Sequence, residues 1–127
     1  MALEVDILGM TRRLKDIGDW GENQACEFLR RQGFVVVERN FHTTTGEIDI
    51  VASKGGDLFF IEVKTRLDRE LANDTAVTGK KKMKFERAVR AYCYRRDIPE
   101  IGLIMAGLIV AVDKASKKVK FRLVAWI

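Results

Sequence analysis

The chain has 127 residues, 47% of them apolar and 32% charged, with a net charge of +5 and a single proline. That length supports one domain with its own core and no covalent staples, and the composition is that of an ordinary soluble globular protein. The longest apolar run, residues 101–112, is twelve residues, too short to cross a bilayer and suited to a buried strand.

Residues 1–15 hold Arg12, Arg13 and Lys15 without a clear register and read as a short helix or a loose arm. No basic region precedes an apolar stretch there, so no secretion signal is expected and the cytoplasm is the expected location. From Asp16 to Gln32 the spacing predicts a helix, with Ala25, Phe28, Leu29 and Gln32 on neighbouring turns and Gly33 as its C-terminal cap. FVVVER, 34–39, is short and β-branched, hence a strand. Two further strands, 47–52 and 57–65, flank Gly55-Gly56. Residues 66–75 are polar and predict a loop. Phe85, Ala88, Val89 and Tyr92 recur at helical intervals and predict a second helix over 76–96. IPEIGLIMAGLIVAV supplies a strand, Asp113–Ser116 turns the chain, and 118–127 alternates Val119, Phe121, Leu123 and Ala125 on one side. The order predicts an α/β sandwich in one domain, with no repeat or linker. Cys26 and Cys93 lie in helical patterns without metal-type spacing and read as core residues.

The chemistry concentrates in GEIDIVASKGGDLFFIEVKTR, residues 46–66. Both central positions of a type I′ turn need positive φ, so Gly55-Gly56 predicts the turn and sets the pairing so that partner numbers sum to 111. That register places Asp49 opposite Glu62, Glu47 opposite Lys64 and Ile48 opposite Val63. All four ionisable groups then project from one face and the apolar residues from the other. Facing carboxylates about 5 Å apart repel by about 3 kcal/mol at an effective dielectric near 20. A divalent ion with an oxygen shell, Mg²⁺ or Mn²⁺, relieves that repulsion and bridges to a substrate phosphate. Lys64 beside it would hold a water or steady developing negative charge. The competing reading is a solvent-facing sheet side with Glu47–Lys64 as an exposed cross-strand pair.

Two features bear on that choice. Glu22 shares the helical stripe of Ala25 and Leu29, between Gly18 and Gly21, and either snorkels outward at the margin or adds a third carboxylate to the hairpin. Residues 80–96 are crowded with Lys and Arg around the lone Glu86, which is either a solvated surface or a phosphate-binding stripe. His42, the only histidine, reads as a loop residue, which excludes histidine-based triads and His-rich zinc sites. Thr43 to Thr45 are expected to bond their own backbone. Trp20 and Trp126 are expected to be core or edge aromatics.

The linked pattern G-x-x-G-E-x-x-A-x-x-x-L-x-x-x-G, then R-N, G-E-I-D-I-V-A and F-I-E-V-K-T-R, resembles the YraN family. It covers Gly18, Gly21, Glu22, Ala25, Leu29, Gly33, Arg39, Asn40, residues 46–52 and residues 60–66. The resemblance extends over roughly residues 16–94 and implies a restriction-endonuclease-like three-layer sandwich, a central mixed sheet flanked by helices. More distantly, Asp49, Glu62 and Lys64 are similar to the PD-(D/E)XK signature of nucleases, including archaeal Holliday-junction resolvases with an upstream helical glutamate. That likeness implies Asp49 and Glu62 as metal ligands, Lys64 as the signature lysine and Glu22 as the accessory acid; Glu47, which the family pattern also includes, reads as a partner orienting Lys64. Lys81 matches a basic position at the start of the second helix, and Lys80, Lys82 and Lys84 join it as expected nucleic-acid contacts. The chain departs in having Ile48 where the signature has proline, and apolar or small residues at 105–108 where relatives commonly show Arg-Phe-Asp. The expectation is a Mg²⁺- or Mn²⁺-dependent nuclease acting on DNA, with branched or structured substrates in view and a homodimer needed if both strands are cut symmetrically. A non-catalytic nucleic-acid-binding module and a protein-interaction module are the alternatives.

Overall fold

The computed structural model describes the backbone of residues 14–67, 79–113 and 115–126, and the side chains of 18–66, 81–113 and 115–126. The elements are α1 (Leu14–Arg31), β1 (Val35–His42), β2 (Glu47–Lys54), β3 (Asp57–Leu67), α2 (Gly79–Arg96), β4 (Leu103–Asp113) and β5 (Lys118–Ala125). The strands form one sheet in the order β1-β2-β3-β4-β5. All neighbours are antiparallel except β3 and β4, which are parallel and therefore need a crossover, in which α2 lies. The architecture is the expected α/β three-layer sandwich, a mixed sheet with one helix on each face. Of the short helix or loose arm expected over 1–15, residues 14 and 15 open α1 and 1–13 lie outside the described residues, as do 68–75 of the expected loop and the expected helix start at 76–78. Residues 66 and 67, expected in that loop, instead prolong β3.

Each helix covers its face with the stripe its spacing dictates. α1 lays Ala25, Cys26 and Leu29, all at most 1% exposed, over Ile50, Ala52, Ile61, Leu108 and Val110. Gln32, expected on that stripe, is exposed because α1 ends at Arg31 and the chain turns away. α2 lays Phe85, Ala88, Val89, Tyr92 and Cys93 over Ile48, Val51, Phe60 and Met105. Tyr92 meets Phe41 and Phe60 edge-on, with ring centroids 5.0 and 5.6 Å apart. Trp20 packs at the margin of the α1 side and Trp126 at that of the α2 side, as expected of core-edge aromatics. Cys26 and Cys93 are buried free thiols. In β5, Val119 and Phe121 pack inward, but Leu123, expected on the same side, is exposed.

Two departures from regular β geometry shape the centre of the molecule. Asn40 adopts a left-handed φ of 56°. Simple alternation would put Arg39 and Phe41 on one face, yet Arg39 reaches Glu22 on α1 while Phe41 meets Tyr92 of α2 edge-on. Ile48, paired with Phe41, follows it into the α2-side core, whereas Ile50 stays on the α1 side. The expected grouping of Ile48 with Ile50 is therefore corrected: the Asn40 twist separates them. The second departure is in the hairpin. Gly55 and Gly56 take φ of 58° and 84°, and the pairs from Lys54↔Asp57 to Ile50↔Ile61 follow the expected register. Beyond Ile50↔Ile61 the ladder stops.

Candidate active site

From Ile50 onward β2 stays with β1, out to His42↔Glu47, while β3 stays with β4, out to Leu67↔Val112. The sheet forks there. Asp49 stands in the fork, and the Val63 amide donates to its Oδ2 at 2.8 Å. A carboxylate thus occupies the place of a ladder bond, which corrects the expected cross-strand pairs Asp49–Glu62, Glu47–Lys64 and Ile48–Val63. The acids still converge, but around an opening in the sheet rather than across a closed hairpin.

Four carboxylates sense one another at the fork. Burial pushes the Asp49 carboxyl from the ordinary 3.8 to about 7; the Val63 hydrogen bond opposes the rise, and the neighbouring charges of Glu22, Glu47 and Glu62 add to it. Burial also raises Glu22, against the pull of Arg39, whose Nη2 lies 3.6 Å from Glu22 Oε1. Glu22 arrives from the α1 side of the sheet. Glu62, two positions beyond Phe60 of the α2-side core, belongs to the α2 face by strand alternation, and Lys64 follows it on that face. Glu47 does not orient Lys64 as expected. Its Oε2 lies 3.0 Å from His42 Nδ1, because β1 extends to His42 and pairs it with Glu47. His42 is accordingly a strand-end residue and not a loop residue.

A cleft of about 170 Å³ opens on this cluster, lined by Gly46, Glu47, Asp49, Glu62, Lys81, Lys84 and Phe85. Its floor is acidic and its α2 wall basic. Of the four lysines expected to contact nucleic acid, Lys81 and Lys84 line the cleft; Lys82, though on the same helix, does not, and the Lys80 side chain lies outside the described residues. Glu22 and Lys64 are not in the lining, although Glu22 is near enough to act on Asp49. The Thr43 hydroxyl bonds Gly46 O and accepts from the amides of Thr45 and Gly46, closing the loop on itself as expected.

Two glycines set the approach of the walls. A Cβ on Gly46 would stand 2.9 Å from Lys84 O, and one on Gly21 would run into Thr65 Oγ1. The β1–β2 loop therefore reaches the first turns of α2, and α1 crosses β3 closely enough to bring Glu22 toward the fork. Arg39 is the residue sequence reasoning left without a role. It stands beside Glu22, and its Nε is buried without a hydrogen-bond partner. Its Arg-Asn context was the available signal, since Asn tolerates the left-handed conformation that separates Arg39 from Phe41.

Asp49 and Glu62, with an oxygen-only donor set, fit a hard divalent ion that keeps several waters and takes further oxygens from a phosphate. The fit rests on a half-buried carboxylate, raised chiefly by burial and further by like charges, facing a cleft. Among the described residues no group of three or more His, Cys, Asp or Glu side chains is placed to hold a metal ion.

A mixed sheet that parts over a group of carboxylates, one of them half-buried, beneath a basic helix, defines an α/β sandwich protein with an acidic cleft at the sheet centre. The model of a family described as "Uncharacterised protein family UPF0102" matches residues 21–104, a span that takes in every residue lining the cleft. The chain is 36% identical over 104 residues to a UPF0102 protein of Syntrophomonas wolfei, covering 80% of this chain and 90% of that one. It is 40% identical over 92 residues to one from Roseiflexus castenholzii, covering 71% and 73%, and 42% identical over 93 residues to one from Helicobacter pylori, covering 73% and 79%. The chain belongs to the UPF0102 family, the YraN-like group whose motifs its sequence carries. No helix among the described residues is long and apolar enough to cross a membrane.

Proposed function

We propose that this protein is a metal-dependent nuclease of the PD-(D/E)XK type that hydrolyses phosphodiester bonds in DNA. The observation that carries the reading is Asp49, held in the sheet fork by the Val63 amide and raised to about 7 by burial first and by the neighbouring Glu22, Glu47 and Glu62 second. Such a cluster is unfavourable unless a cation enters it.

Asp49 and Glu62 would hold Mg²⁺ or Mn²⁺, which when bound supplies Lewis-acid activation of water and neutralises charge on the phosphate. Lys81 and Lys84, on the basic wall, draw the phosphodiester backbone to the cleft. Lys64, sharing the face of Glu62, offers an ammonium to hold the attacking water or the charge that develops on phosphorus oxygens. Glu22, kept in place by Arg39, is the accessory acid. Branched or structured DNA is the substrate class in view.

The test is a panel of four-way-junction, fork, flap, duplex and single-stranded DNA incubated with Mg²⁺ or Mn²⁺. Metal-dependent cleavage of at least one supports the reading. Binding of the panel without cleavage under any condition replaces it with the non-catalytic binding module, which the basic α2 alone would serve.

A further inference from the structure

The outward face of α2 carries an aromatic side chain that the fold does not use. Helical spacing that turns Phe85, Ala88, Val89 and Tyr92 to the sheet puts Met83, Arg87, Arg90 and Tyr94 on the opposite ridge, at intervals of four, three and four. Met83 is 56% exposed and Tyr94 89%. The last arginines of the helix turn back onto the protein: Arg95 lies over the Phe41 ring, and Arg96 pairs with Glu38 at 2.7 Å. Tyr94 does not. It stands in solvent in line with two cationic side chains.

The flanks of the ridge differ. On one side Glu86 and Glu100 line a cleft of about 260 Å³ together with Val89, Arg90, Leu103 and Met105, so acid bounds the ridge there. On the other side lies Lys84, which also lines the Asp49 cleft. A polyanion at that cleft is favoured along the Lys84–Arg87 side and disfavoured across the Glu86 side.

We propose that this ridge is a track for nucleic acid leading away from the Asp49 cleft, and that Tyr94 stacks an unpaired base about 15 Å from Lys84, ten residues along the helix. The inference rests on the nucleic-acid reading above and names the substrate class: a strand with an unpaired segment beside the cutting site. A phenol has one hydroxyl and no bidentate donor–acceptor pair with which to read a base edge, and in a duplex the base faces are already covered by their neighbours. Against unpaired bases the same ring offers a sequence-tolerant platform, with Arg87 and Arg90 neutralising the intervening phosphates.

Fluorescence anisotropy in EDTA tests the track, using labelled single-stranded, forked and blunt-duplex oligonucleotides, each as DNA and as RNA. Tyr94→Ala is expected to weaken single-stranded and forked binding by roughly five- to a hundredfold and to leave duplex binding within about twofold. Tyr94→Phe keeps the stacking face and is expected to bind like the parent. Arg87→Ala is expected to weaken all three forms alike and to flatten the salt dependence. The track is overturned if Tyr94→Ala binds the unpaired forms as the parent does, or weakens duplex equally. Because EDTA removes cleavage, these outcomes are read apart from the metal site. Failure of the parent to bind any nucleic acid would remove the nuclease reading as well, whereas metal-dependent cleavage with unaltered Tyr94→Ala binding would remove the track alone.

Discussion

Val63 donates its amide hydrogen to Asp49 Oδ2 at 2.8 Å, at the point where β2 leaves β3. A side chain has taken over a main-chain position, so opening the sheet leaves no orphaned amide there. A carboxylate has further lone pairs, so the bond orients Asp49 without saturating it. The fork and the acid are one feature: without Asp49 the strands would have less reason to part, and without the parting Asp49 would have no cleft.

Stability should fall as pH rises from about 4 to 7. An Asp held near 7 in the folded protein keeps its proton in that window, while the unfolded chain, with its carboxyl near 3.8, has lost it. The folded state then binds more protons than the unfolded, so ionisation disfavours folding. The loss is on the order of 3 kcal/mol between pH 5 and 7.5. Asp49→Asn keeps an acceptor for Val63 and should remove this slope. Urea midpoints of both proteins at the two pH values check it, and equal slopes would reject the burial of Asp49.

Divalent ions should reverse that penalty. At a hundredfold excess over its dissociation constant, Mg²⁺ should stabilise the protein by about 2.7 kcal/mol. Since the proton and the ion compete for Asp49, metal affinity should weaken about tenfold for each pH unit below 7. Thermal melts with and without Mg²⁺ at pH 6 and 7.5 measure both effects. A shift unchanged in Asp49→Asn or in Glu62→Gln would place the ion elsewhere.

Gly21→Ala should cost about 1–3 kcal/mol, because the added methyl meets Thr65 where α1 crosses β3. Glu22 is the next residue, so the same change should displace it from the fork. Thr65→Ser keeps the hydroxyl and should not rescue the variant, whereas Thr65→Gly should recover much of the loss. Stability no lower in Gly21→Ala would mean that α1 does not approach β3 so closely.

Lys81→Ala and Lys84→Ala should each weaken DNA binding without regard to sequence. For every phosphate no longer neutralised by the protein, the slope of log affinity against log salt should become shallower by about 0.9 on duplex. Lys82→Ala, whose side chain is outside the cleft lining, should change the slope less. Binding measured from 50 to 200 mM salt separates the three.

The elements, the turn and most of the hairpin register were legible because they depend on local rules. Gly55-Gly56 admits positive φ, and pairing numbers follow from the turn to Ile50↔Ile61. The acids were legible too, since Asp49, Glu47 and Glu62 are out of place in apolar strands. Their arrangement was not. It depends on a long-range hydrogen bond from Val63 to a side chain, and on a left-handed Asn40 in the neighbouring strand, neither of which hydrophobic alternation encodes. The pairing of Glu47 with His42 followed from β1 running further than its β-branched core suggested. Arg39 was hidden for a similar reason: its partner Glu22 is on a helix, seventeen positions earlier, and no periodicity links the two.

The most direct test is cleavage of the DNA panel in Mg²⁺ or Mn²⁺ by the parent protein and by Asp49→Ala and Lys64→Ala, with folding and DNA affinity measured alongside. The expected result is metal-dependent strand scission that both substitutions abolish while the proteins stay folded and bound to DNA. Scission that survives either substitution would contradict a hydrolytic centre at the sheet fork.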